Sequence, residues 1–181
     1  MGGTLQLAEA GKVELEQAAQ IAVGTLNGFG LAASEITRVN DVFVQATNAT
    51  ATSVGGLGET MKYVAPVAKQ YGASIEQITA MTGLLGNNNI LDTQAGTALR
   101  GIMLRLAAPP KAAQDALDSL GVKTADAKGN LRDLSDVMND LRIKTSKMGS
   151  EERLALLSDI SGTEAASAMA VLVDQTGMVD E

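Results

Sequence analysis

The sequence has no histidine, no cysteine and no tryptophan, and only two tyrosines and two phenylalanines in 181 residues. Without thiols or imidazoles it can form no disulfide, no Cys-based zinc site, no thiol nucleophile and no histidine general base. Carboxylates, hydroxyls, lysine and tyrosine are the chemistry that remains. With aromatics at 2%, a core drawn from the 45% hydrophobic residues must be built of Ala, Leu, Val, Ile and the eight Met. Positive charge is also scarce. The 14 Lys and Arg against 21 Asp and Glu leave a net charge of −7, which works against the clustered cations that phosphate contacts need, so no dedicated nucleic-acid binding is expected. The longest apolar run, Ala165 to Val173, is about half of the roughly 20 residues that span a bilayer, and no membrane span is expected in this segment. The stretch "MGGTLQLAEAGKV" lacks the cationic start and apolar core of a secretory signal, and Gln6 stands where a myristoylation site needs Ser or Thr.

What is present is helical periodicity, and the expected fold class is all-α, a multi-helix domain of short helices. Residues 4–29 read as helical with an early break at Gly11 and an apolar face of Leu15, Ala18, Ala19, Ala22, Val23 and Leu26. A second helix over 34–49 carries Ile36, Val39, Phe43 and Ala46 on one stripe. Ser53 is placed to cap the next helix, which contains "MKYVAPVAKQYG". There Pro66 lacks an N–H for the Lys62 carbonyl, so a kinked helix, bent or restarting near 62–65, is expected. In an isolated helix that proline costs about 3 kcal/mol. Gly72 closes this helix and "SIEQ" opens another as a capping box of Ser74 and Gln77. Asp92 or Thr93 then caps a helix with Ala95, Ala98, Leu99, Ile102 and Leu106 on one face, stopped by Pro109 and Pro110, which pre-set a short helix to Leu120. Around "DAKGN" the pattern predicts a small β-hairpin near 121–134. Helices return over 135–147, 150–160 and 163–177, the last behind a Thr163 cap. Residues 1–120 are expected to form an N-terminal helical part, with 121–181 a hairpin-like loop plus C-terminal helices packed on it.

Tests for chemistry come back empty. "GGLGET" has Met61 where the dinucleotide fingerprint needs its last Gly, and "AGKV" has Gln6 where a P-loop needs its first. "DAKGNLRD" carries its Gly at the fourth position where a calcium loop needs the sixth. Asp136 and Asp140 read as a solvated face balanced by Arg132 and Arg142. No Ser precedes a Lys by three positions, so a Ser–Lys nucleophile is absent. Arg100 and Arg105 read as rim charges beside the core. Because Arg100 follows Leu99 on an apolar stripe, it is expected to form a buried or half-buried ion pair. No catalytic, cofactor-binding or metal-ligating residue is assigned.

Four blocks, "GETMKYVAPVAKQYGASIEQ", "AGTALRGIMLRLAAPPKAAQDALDSLGV", "DAKGNLRDLSDVM" and "SEERLALLSDISGTEAASAMAVLV", follow one another in an order and spacing that resemble the core region of bacteriophage tail tape measure proteins. The resemblance runs from about Leu15 to about Val173. It falls on Tyr63, Ala65, Pro66, Val67, Gly96, Thr97, Ala98, Leu99, Arg100, Pro109, Gly121, Gly129, Arg153, Gly162, Thr163 and Ala165, which look like structural signatures and not a catalytic set. Two positions depart from the pattern. Ala32 stands in place of a hydroxyl cap, and Gly55–Gly56 in place of acidic helix-starting residues, so looser helix starts are expected at both.

What the resemblance implies is a structural assembly protein that sets tail length while occupying the tube lumen, and that leaves ahead of the genome. Its implied partners are the tail tube protein, tail assembly chaperones and baseplate or initiator proteins, with homo-oligomers possible. Its implied place is the virion tail and, during assembly, the host cytoplasm. Such proteins are longer than 181 residues, so an excised segment, from a phage or prophage and with Met1 added to it, is expected. The competing readings are a helical adaptor unrelated to phages and a carboxylate-dependent muralytic domain; the latter needs an isolated acid in an apolar pocket.

Overall fold

Local signals set most helix ends. The Ser53 and Ser74 hydroxyls accept from the Gly56 and Gln77 amides at 3.0 and 3.1 Å, and the Asp133 carboxylate accepts from Ser135 and Asp136. These bonds satisfy donors that a helix start leaves unpaired. At the opposite ends Gly30, Gly72 and Gly121 take left-handed φ angles of 67°, 90° and 67°, a conformation glycine adopts without penalty. The structure, a computed structural model, describes residues 2–176. It contains α1 (Gly2–Gly11), α2 (Leu15–Phe29), α3 (Ile36–Ala49), α4 (Val54–Tyr71), α5 (Ile75–Asn87), α6 (Asp92–Ala107), α7 (Lys111–Leu120), α8 (Leu134–Thr145), α9 (Ser150–Ser161) and α10 (Ala166–Gln175). Short 3-10 turns at Ala33–Glu35 and Thr163–Ala165 lead into α3 and α10. The fold is all-α.

The described residues divide into two compact units between Thr97 and Ala98. In the first, α2 packs along α4, α1 lies against α3 and α2, and α3 lies against α5. Leu7, Phe43, Leu57, Ile78 and Leu85 are wholly buried there. In the second, α7 and α10 both pack on α9 and on α8, around Leu134, Met138, Leu141, Ile160 and Met169. Each such side chain contributes about 1.5–3 kcal/mol by leaving water.

The break expected at Gly11 is present, and four other expectations change. The break at Gly11 is a full joint, with Lys12 at φ 50° and α2 restarting at Leu15. On α2, Ala18, Ala22 and Leu26 are buried, but Leu15 and Val23 are half-exposed, because a tight seam of small residues covers only a narrow arc. α4 runs unbroken through Pro66, so no restart occurs at 62–65. Lys62 and Pro66 both lie on the exposed side, where water serves the carbonyl that proline leaves without a donor. The hairpin near 121–134 is reduced to one antiparallel bridge between Ala125 and Leu131. Asp126 is the reason: its carboxylate accepts from the Lys128 and Asn130 amides at 2.8 and 2.9 Å and from the Asn130 side chain at 3.1 Å. The side chain therefore holds the turn, while the Asp126 amide bonds the Asn130 carbonyl at 2.8 Å and the Arg132 amide the Thr124 carbonyl at 2.9 Å, a short ladder on either side of the bridge. The Asn130 side-chain bond, with the amides, holds the Asp126 carboxyl below its ordinary range. Finally, Thr163 caps nothing. The residue before its turn is Gly162, with no side-chain cap bond, and Gly177 lies outside the described residues.

Candidate functional site

Among the described residues no cluster of three or more potential ligands could hold a metal ion, and no Asp or Glu is buried. A shallow groove of about 230 Å³ between α2 and α4 is lined by Gln17, Gln20, Ile21, Gly24, Glu59 and Lys62. Its two charges pair with each other at 2.5 Å. No single helix among the described residues is long and apolar enough to cross a membrane.

Some of the positions singled out in the sequence, among them Gly96, Pro109, Gly121, Arg153 and Gly162, lie instead at three joints. The first is the contact of α6 with α4. A Cβ on the buried Gly96 would stand 2.6 Å from the Thr60 carbonyl oxygen and 3.0 Å from Tyr63 Cβ. Only a hydrogen fits between backbones that close. The buried Thr60 hydroxyl, 3.0 Å from the Gly56 carbonyl and 2.9 Å from the Asp92 carbonyl, ties the start of α6 to α4. Asp92 sits at φ 53°, and its carboxylate occupies the place where a Gly56 Cβ would be. The negative charge missing at Gly55–Gly56 is thus supplied from α6, beside the positive end of the α4 dipole. This helix start is closed, not loose. Ala32, by contrast, precedes its 3-10 turn with no side-chain cap bond. Tyr63, Pro66 and Thr97 lie on outer, exposed faces.

The second joint is the chain reversal after α6. That helix ends at Ala107, ahead of Pro109, and Pro110 sits at the N-cap of α7. Gly121 then closes α7, with its own amide and that of Val122 bonding back to Asp118 and Leu117. Gly129, at φ 83°, completes the Asp126 turn. Arg132 bonds the Lys123 carbonyl and the Asp140 carboxylate, each at 2.8 Å. Arg142 pairs with the Asn139 side chain and not with Asp136.

The third joint is an elbow at Gly162, where α9 and α10 with its lead-in turn are bent by 116°. Arg105 holds it. Its Nε donates to the Ile160 carbonyl at 2.9 Å and its Nη2 to the Asp159 carbonyl at 2.8 Å, placing a cation on the negative end of α9. Arg153 spans the elbow from the other side: Nε donates to the Thr145 hydroxyl at 3.1 Å and Nη2 pairs with the Asp174 carboxylate.

The Arg100 expectation is corrected. Arg100 is exposed and, among the described residues, has no ion-pair partner. The buried arc of α6 is Ala95, Leu99, Ile102, Met103 and Leu106, and a residue about 100° round from Leu99 faces water. The arginine that does bind is Arg105, whose partners lie 55 and 54 residues away. No local pattern marks it, apart from the glycine that breaks the helix it caps.

Comparison with known proteins follows the same lines. Residues 1–162 match the family described as phage-related minor tail protein. The chain is 36% identical over 182 residues to a probable tape measure protein of Escherichia phage P2, covering 98% of this chain and 22% of the relative. It is 36% identical over 174 residues to a tape measure protein of Pneumococcus phage Dp-1, covering 96% of this chain and 15% of the relative. A probable tape measure protein of Clostridium phage phiCD119 is 35% identical over 75 residues, 41% of this chain. The chain thus spans about a fifth or less of the length of these relatives, and no solved structure matches it. A family match over residues 1–162, with 36% identity to two relatives over nearly the whole chain, leads to one assignment: the chain belongs to the phage-related minor tail protein family.

Proposed function

We propose that this chain is a segment of a phage tail tape measure protein. In this reading it is a structural part of the tail, lying in the lumen while tube subunits polymerise around the whole protein and leaving ahead of the genome on infection. It meets the tail tube protein, assembly chaperones and baseplate or initiator proteins, in the host cytoplasm during assembly and in the virion afterwards. The single observation that carries the reading is the 36% identity to proteins named tape measure over 98% and 96% of this chain. The physical character of the joints supports a non-enzymatic role. The described carboxylates lie at the surface, and several are paired, as Glu76 and Glu35 are with Arg38. None has the apolar pocket that a catalytic acid needs.

The test is a ruler experiment on the full-length protein in its own phage. In-frame removal of helical residues is expected to shorten tails in proportion, by about 1.5 Å per residue if the ruler is helical. Tails of unchanged length would contradict the reading.

A further inference from the structure

We infer that α10 is exchangeable between two copies of this chain, through opening of the elbow at Gly162. In the open form residues 150–175 make one straight helix, and α10 docks on α8 and α9 of a second copy as it now docks on its own. The inference stands on the geometry of the second unit alone and goes beyond the tail reading.

Three observations carry it. First, the break is one residue wide. Ser161 ends α9, Thr163–Ala165 is already a helical turn, and Gly162 at φ 85° and ψ 154° is the residue that departs. This backbone region is essentially reserved for glycine. Space is not what demands glycine, because a Cβ would meet the nearest Arg105 atoms at an ordinary 3.6 Å. Second, the carbonyls that Arg105 takes, those of Asp159 and Ile160, are the two that a continuous helix would offer to the amides of Thr163 and Glu164. Arg105 therefore competes directly with straightening. Third, α10 is held by contacts that a second copy can supply unchanged. Ala168, Met169, Leu172 and Val173 are buried in packing on α8 and α9, and the Arg153–Asp174 pair re-forms between copies. Exchange thus leaves every interface intact except the elbow, the condition under which domain swapping is cheap.

The absence of cysteine lets two spin labels be placed uniquely, at Glu152→Cys and Gln175→Cys. With the 116° bend the two ends lie about 20 Å apart, and in a straight helix about 35 Å. Gly162→Ala, which favours the helix and disfavours the elbow, and Arg105→Gln, which releases the two carbonyls, are each expected to produce a dimer by light scattering. In samples diluted with unlabelled chain, the distance within that dimer is expected to move to about 35 Å. A monomer at all concentrations with the short distance kept would overturn the inference, as would a dimer that keeps it. If Gly162→Ala does not fold, Arg105→Gln decides by the same readouts. Arg153→Ala weakens a pair present in both forms, so it should lower Tm without raising the dimer fraction; an equal rise there would also overturn the elbow's role.

Discussion

The two units solve helix packing in opposite ways. Residues 1–97 hold thirteen of the nineteen glycines and one of the six arginines, whereas residues 98–181 hold six glycines and five arginines. In the first unit Gly11, Gly28, Gly58, Gly83, Gly86 and Gly96 each have a neighbouring atom closer than 3.0 Å to where a Cβ would stand. In the second, Gly101, Gly121, Gly129 and Gly149 have nothing within 4 Å. In the first unit six glycines let neighbours approach closely, beside Gly30 and Gly72 that end helices; in the second, close approach at glycine is not seen among the described residues, and Arg105, Arg132 and Arg153 supply the ties. The same residue type thus has two physical roles in one chain, and only the three-dimensional neighbours distinguish them.

This contrast can be broken by substitution. The largest effect is expected at Gly96, where a methyl group would press on backbone that cannot rotate away. Gly96→Ala should cost about 3 kcal/mol, at the upper end of overpacking, read from denaturant midpoints. Arg153→Ala should cost about 1–2 kcal/mol, since the pair with Asp174 is only partly shielded from water. That loss should shrink as salt rises, while the Gly96 loss should not. Pro66→Ala restores a helix bond on an exposed face and should raise stability by about 1 kcal/mol; a lower melting temperature would mean that the fold needs the proline's shape.

A smaller effect sharpens the one arginine tie of the first unit. The hydrogen bond from Arg38 holds the Glu76 carboxyl below its ordinary value. A lowered folded-state value gives stability that is present above the ordinary carboxylate range and is lost as pH falls through it. The difference in Tm between the native chain and Arg38→Ala should therefore be small at neutral pH and fade as the pH falls below the ordinary carboxylate range and through the lowered Glu76 value. The smallest expected effect is at Arg100: Arg100→Ala should leave stability within about 0.5 kcal/mol, as for an exposed side chain without a partner.

What could be read from the sequence follows the range of each interaction. The Ser53 and Ser74 caps, the Gly72 and Gly121 helix ends and the proline stop after α6 act within a few residues, so the pattern showed them. The Asp126 turn was half visible: its residues marked a reversal, but not that the side chain would hold the turn and leave so short a ladder. Long-range facts were hidden. Nothing near Arg105 indicates carbonyls beyond residue 158, and nothing near Gly56 indicates that Asp92 will fill its space. Leu15 and Val23 look like core because apolar spacing describes a helix face, while the width of the covered arc depends on how closely α4 approaches. Arg100 misled for the same reason, since one step along the chain turns a side chain from the core to the solvent.

The central claim is that Gly96, and not the exposed Arg100 four residues on, sets the spacing of α4 and α6. Hydrogen exchange on Gly96→Ala beside Arg100→Ala tests it most directly. The account predicts that Gly96→Ala loses amide protection across α4 and the start of α6 while Arg100→Ala exchanges like the native chain. Native protection in Gly96→Ala, or a larger loss in Arg100→Ala, would contradict it.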